Sequence, residues 1–185
     1  MLIDITLKIT EKMLADARNN TNPALAGHLG THFDVMNKVF PLEYIEREGV
    51  VFDVRGVAER DIELSDIDIS KVKEGAFVAF YTAFIEREEY GTAAYFKSHP
   101  QLSAELIDAL LEKKVSIIGL DFAGVRRGGE HIPTDQRCAD RGVFIIENLC
   151  NLNEVLAAGG SFTACTYPLN CDALTGLPCR VIAKI

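Results

Sequence analysis

Two of the chain's four histidines, His28 and His32, stand within five residues, and Asp34 follows the second after Phe33. Imidazole nitrogen and carboxylate oxygen together suit zinc, manganese or iron. In an extended segment residues i and i+2 point to the same side, so His32 and Asp34 can face one cation while Phe33 turns into the core. Gly30 lets the backbone bend there or approach a ligand closely. Thr31 offers a hydroxyl that can hold a metal-binding side chain in orientation. The plain alternative is a His and an Asp on a strand that hydrogen-bond to each other or to backbone.

Several elements must position these groups. Residues 2 to 9 alternate in part between apolar and polar, the pattern of a half-buried strand. Asn19, Asn20, Asn22 and Pro23 mark a loop before the histidine stretch. Val50 to Arg55 is β-branched and reads as a strand, residues 58 to 75 read as loop, and residues 76 to 82 read as a buried strand. Residues 84 to 100 are polar, with Gly91 and Pro100; this segment can flap over a site, contact a partner subunit or lie as a solvated loop. Ser103 caps a helix running to about Lys113, whose apolar stripe is Leu106, Leu110 and Leu111. Val115 to Phe122 follows as a strand, and Gly124 to Thr134 as a loop carrying Arg126, Arg127 and His131. Residues 135 to 142 form a short helix closed by Gly142, and Val143 to Ile146 a strand running into Glu147. A helix over 151 to 158 and strands over 162 to 168 and 180 to 185 complete the chain. Interspersed helices and more numerous strands predict one α/β domain over residues 1–185, with a mixed sheet.

Composition narrows the function. The chain has 185 residues, of which 48% are hydrophobic and 25% charged, enough for a sizeable core. A net charge of −8 argues against nucleic acid and against anionic membrane surfaces as partners. No apolar run approaches the ~20 residues of a membrane span, and the first residues do not have the pattern of a secretory signal. Five cysteines, none spaced Cys-x-x-Cys, fit reduced thiols and a cytoplasmic location.

His28-x-Gly30-Thr31-His32-x-Asp34 resembles the first part of the signature His-x-Gly-Thr-His-x-Asp-x-Pro-x-His. That signature marks the cyclase family of metal-dependent hydrolases, to which bacterial kynurenine formamidases belong. The match then departs, with Met36 in place of proline and Lys38 in place of the last histidine. Further on, Gly142-Val-Phe-Ile-Ile-Glu147-Asn148-Leu149-Cys-Asn151-Leu152 resembles the family's Gly-Ile-x-Ile-Ile-Glu-Asn-Leu-x-Asn-Leu. Gly119-Leu-Asp121 is similar to its Gly-Ile-Asp, and Leu177-Pro178-Cys-Arg180 to its Ser-Pro-x-Arg. The resemblance implies the swivelling β/β/α fold, a homodimer or homotetramer, and Glu147 as a metal ligand. The family's second metal-binding histidine falls at Asp135 here, with His131 the nearest histidine.

Those departures shape the expected chemistry. Lys38 would place an ammonium in the site, where it repels a second cation and pairs with Glu147 or Asp135. The expectation is therefore one zinc or manganese ion per chain, on His32, Asp34 and Glu147, with Asp135 or His131 beside them. The reaction expected is metal-assisted hydrolysis of a small amide, formamide or lactone- or lactam-like ring, resembling an arylformamidase. His28 would serve as general base or as a support, Lys38 would stabilise the oxyanion, and Arg126 or Arg127, with His131, would hold a substrate carboxylate. Two other classes stand beside this reading. One is an inactive family member that binds a small ligand or a regulatory partner. The other is a cysteine-dependent enzyme using Cys138.

Overall fold

The computed structural model describes residues 1–19 and 24–185. Part of the asparagine-rich loop predicted before the histidine stretch, residues 20–23, lies outside the described residues. The chain runs through β1 (Leu2–Asp4), α1 (Glu11–Asn19), β2 (His32–Asp34), β3 (Glu46–Asp53), β4 (Phe77–Tyr81), α2 (Phe84–Arg87), α3 (Ala93–Ser98) and α4 (Ala104–Glu112). It continues through β5 (Ile117–Leu120), α5 (His131–Asp140), β6 (Phe144–Glu147), α6 (Leu152–Ala157), β7 (Ser161–Pro168) and β8 (Gly176–Lys184).

The strands form one mixed sheet in the order β1-β8-β2-β6-β5-β4-β3-β7, and β7 also pairs with β8. That extra pairing closes seven strands into a barrel, with β1 added along the edge of β8. β3, β4, β5 and β6 are mutually parallel, whereas β2, β7 and β8 join antiparallel. Every residue of β4, β5 and β6 is buried. This is why they read as continuous apolar runs rather than alternating ones.

Strand alternation divides the interior in two. Phe33, Phe77, Ala79, Ile117, Ile146, Phe162 and Val181 point inside the barrel and pack together. Val78, Phe80, Ile118 and Ile145 point outward, against Leu106, Ile107, Leu110 and Leu111 of α4. Ser103 caps α4 by accepting from the Leu106 N–H, and Leu106 and Leu110 are fully buried. Truncating either leucine to alanine should cost about 2–5 kcal/mol.

The mixed sheet and the α/β class stand as predicted. Three local assignments change. α1 occupies Glu11–Asn19, a stretch to which the sequence assigns no element. The polar segment 84 to 100 carries two short helices, because Tyr95 is completely buried and pins it to the core. The helix placed at 135 to 142 begins a full turn earlier, at His131.

Candidate metal centre

The site lies on the outer face of β2 and β6. His32 and Glu147 are direct partners in the antiparallel register, and Asp34 follows His32 on the same face. The alternate residues Phe33 and Ile146 enter the barrel core, so the pleat itself aims the three polar groups outward together. On α5, His131 and Asp135 are four apart and share one helix face. That face turns toward β6, where His131 Nε2 lies 2.9 Å from Asp135 Oδ2 and 3.5 Å from Glu147 Oε1.

The opposite side of the cluster is formed by His28, whose Nδ1 is 3.0 Å from Asp34 Oδ1 and 3.0 Å from His32 Nε2. His32 Nε2 is 3.5 Å from Asp34 Oδ1 and 3.6 Å from Glu147 Oε2. Two sets of donor atoms converge closely enough to share an ion, His28/His32/Asp34 and Asp34/His131/Asp135. Asp34 belongs to both sets, and Glu147 faces a histidine of each.

The protein groups alone do not satisfy this cluster. Asp34 Oδ2, Asp135 Oδ1 and Glu147 Oε1 are buried without a hydrogen-bond partner among the described residues. Orphaned carboxylate oxygens at such depth are costly unless a cation compensates them. A mixed imidazole and carboxylate donor set suits zinc and manganese. The residues present therefore fit a divalent metal.

Electrostatics carry the same strain. Burial alone would drive the proton off His32, but the Asp34 and Glu147 charges outweigh it and its pKa stands at about 9. His131 is raised to about 11 by its hydrogen bond to Asp135 and its contact with Glu147. Burial pushes Asp135 up to about 7, and burial beside Asp34 pushes Glu147 up as well. Asp34 goes the other way: burial opposes its ionisation, yet the neighbouring His32 and His28 hold its carboxyl below the usual carboxylate range.

A hydrogen-bonded scaffold fixes the candidate ligands from behind. His32 Nδ1 donates to the Gly30 carbonyl at 2.9 Å, which leaves Nε2 to face the cluster. The same carbonyl accepts from Asn148 Nδ2 at 2.8 Å, and Asn148 Oδ1 accepts from the buried Tyr95 hydroxyl at 2.7 Å. Thr31 Oγ1 donates to the Asn148 carbonyl at 2.7 Å and accepts from the Leu7 N–H at 2.8 Å. His28 Nε2 meets Thr175 Oγ1 at 2.9 Å. Gly30 has φ +69°, and a β-carbon there would sit 2.3 Å from Ile9 Cδ1, so the turn needs glycine. Thr31 was anticipated in this supporting role. Asn148, Tyr95 and Thr175 were not, and only Asn148 sits in a motif that singles it out.

Other sequence expectations meet a different outcome. Lys38 does not enter the site. Met36 turns the chain through φ 56°, Lys38 N–H closes the turn on the Val35 carbonyl, and the ammonium pairs with Asp140 at 2.7 Å on the surface. Arg126 and Arg127 do not face the cluster either. Arg126 is spanned between Asp61 at 2.6 Å and Glu130 at 2.7 Å, and Arg127 reaches the Lys97 carbonyl. His131, expected either beside the metal or holding substrate, lies among the candidate ligand atoms. Cys138 is buried in the outer core with its thiol pushed up to about 12 by burial, which leaves no route to a nucleophile.

A cleft of about 720 Å³ opens over the cluster. Beside the polar ligands it is lined by Met36, Tyr90, Phe96, Ala123 and Ile132, with no lysine or arginine among the described lining residues. Tyr90 OH accepts from the Gly30 N–H at 2.8 Å, so its own hydrogen is left without an acceptor among the described residues.

Comparison with known proteins follows the same lines. The Cyclase family model matches residues 3–126, more than half of the chain. Among solved structures, the chain is similar to a potential metal-dependent hydrolase with cyclase activity, at TM-score 0.77 and 24% identity over 99% of this chain and 96% of that one. It is similar to a predicted metal-dependent hydrolase from Bacillus stearothermophilus at 0.73 and 23%, over 99% and 97% of the two chains. It is also similar to isatin hydrolase A from Labrenzia aggregata bound to benzyl benzoate, at 0.74 and 20%, over 99% and 93%. These likenesses establish the fold. No curated protein matches the sequence.

Proposed function

The chain belongs to the cyclase family, and from that premise we propose that it is a divalent-metal-dependent hydrolase of a small, uncharged amide, formamide or lactam. The observation that carries this reading is the set of three orphaned, buried carboxylate oxygens, on Asp34, Asp135 and Glu147, converging with three histidines beneath an open cleft. An ion held there would activate water and polarise a carbonyl.

Two donor sets sharing Asp34 favour two ion positions rather than the single ion expected from the sequence. The reason for the revision is Lys38, whose ammonium pairs with Asp140 and so does not occupy the cluster. His28 joins the ligands in this reading, with Thr175 holding its far nitrogen. Zinc and manganese both suit the donor set.

The cleft also supports a substrate class. With Arg126, Arg127 and Lys38 turned away, no lysine or arginine among the described residues lines it to hold a carboxylate, and Met36, Phe96 and Ile132 favour an apolar body. Tyr90 OH takes the oxyanion role anticipated for Lys38: its free hydrogen can donate to a substrate carbonyl oxygen. Isatin hydrolysis, the activity in the name of one structural relative, is a lactam opening of this kind. Self-association is part of the proposal, supported by the exposed apolar Val39 and Leu42.

The test is turnover by the zinc- or manganese-loaded protein of isatin, formanilide and a carboxylate-bearing formanilide. The neutral compounds should be hydrolysed with kcat/KM higher by about 10-fold or more. Preference for the carboxylate-bearing compound would contradict the substrate class.

A further inference from the structure

A second depression, of about 430 Å³, shares no lining residue with the cleft over the metal centre. Four arginines line it, Arg55, Arg60, Arg87 and Arg127, against two carboxylates, Glu59 and Asp61. Asp53 and Asp66, just outside the lining, pair with Arg55 and Arg60, so the guanidinium donors left over are chiefly those of Arg87 and Arg127.

The arginines are unequally committed. Arg55 is clamped by Asp53 at 2.9 and 2.6 Å, and Arg60 by Asp66 at 2.7 Å through two nitrogens. A guanidinium has five N–H donors, so both are pinned with donors to spare. Asp61 is already engaged by Arg126 at 2.6 Å. Arg127 spends one side-chain donor on the Lys97 carbonyl at 3.3 Å, and Arg87 has no acceptor among the described residues.

The groove also holds a buried histidine. His99 is 1% exposed and stacks on Phe122 with ring centroids 5.6 Å apart. Its Nδ1 lies 2.7 Å from the Pro100 carbonyl, which can only accept, so Nδ1 carries the proton. Nε2 has no partner among the described residues. Burial, reinforced by Arg127, lowers the ring's pKa to about 4, which keeps Nε2 an acceptor at neutral pH.

Guanidinium donors beside a lone neutral acceptor select an anion that is itself partly protonated. We propose that this groove binds a phosphate group, free or as a small monoester, with Arg87 and Arg127 holding its charged oxygens and His99 Nε2 accepting its P–OH. Sulfate has the same shape and is fully deprotonated at neutral pH, so it cannot make the last bond.

The experiment is a ¹H–¹⁵N NMR titration of the zinc-loaded full chain near pH 6, where a phosphate monoester still holds its second proton in about half of its molecules, at constant ionic strength. The probes are inorganic phosphate, glycerol 3-phosphate and sulfate. Saturable shifts at His99, Gln101 and Arg127 are expected, with both phosphates binding about 10-fold or more tighter than sulfate. Tighter binding of glycerol 3-phosphate identifies a monoester as the ligand, and equal or weaker binding identifies free phosphate. Arg87→Glu, on the exposed face of a short helix, and Arg127→Glu should each weaken phosphate by about 10-fold or more. Sulfate binding as tightly as phosphate would overturn the proposal. So would phosphate binding left unchanged by both substitutions, because it would then belong to the zinc.

Discussion

His32 and Glu147 lie directly opposite each other across the β2–β6 pair, with His32 Nε2 3.6 Å from Glu147 Oε2. They are far apart in sequence, and the antiparallel register alone brings them to one face. Replacing Glu147 with glutamine should remove a candidate ligand while keeping the shape. Metal affinity should fall by more than the ~10–100-fold of a supporting residue. The metal-free variant should be at least as stable as the metal-free parent, because burial already disfavours the Glu147 charge. Thermal unfolding with and without zinc separates the two effects.

Asn148→Ala tests the scaffold behind His32. The Gly30 carbonyl would lose one of its two donors, and the buried Tyr95 hydroxyl its acceptor. Stability should fall by about 1–3 kcal/mol and metal affinity by about 10-fold. Isothermal titration with zinc reads the second quantity.

Tyr90→Phe should leave metal content unchanged. It should lower kcat by about 100-fold on any substrate whose carbonyl the hydroxyl reaches. A fall in metal content instead would assign Tyr90 to the scaffold through its contact with Gly30.

Lys38→Ala should change metal content and turnover by less than about 2-fold. Its partner Asp140 is exposed, and surface pairs contribute only ~0–1 kcal/mol. Loss of activity in this variant would restore the ammonium to the site.

Metal uptake should depend on pH. His32 and His131, at about 9 and about 11, hold protons more tightly in the metal-free fold than the unfolded value of 6.5. Their contribution to metal-free stability is therefore fully present below pH 6.5 and fades as the pH rises through 9 and 11. An ion must displace those protons, so affinity should rise from pH 6 toward pH 9. Calorimetry in buffers of different ionisation enthalpy should record proton release on binding.

Much of this was legible in the sequence. The His32/Asp34 pair was readable from strand period alone, and α4 from its cap and stripe. The pairing of His131 with Asp135 was not, because a polar, glycine-rich approach hid the helix start and with it the i, i+4 relation. Lys38 was misplaced because a residue's position in a motif does not reveal where the backbone turns. Here Met36 adopts a positive φ that sequence does not announce. Tyr90 and Tyr95 came from a segment without periodicity, and burial of one tyrosine decided its structure.

The most direct test of the metal centre is elemental mass spectrometry on protein purified without chelator or affinity nickel, before and after incubation with zinc and manganese. The two donor sets predict about two divalent ions per chain, both lost or weakened in Asp34→Asn because Asp34 serves each set. Protein that takes up no divalent ion in excess metal would contradict the account.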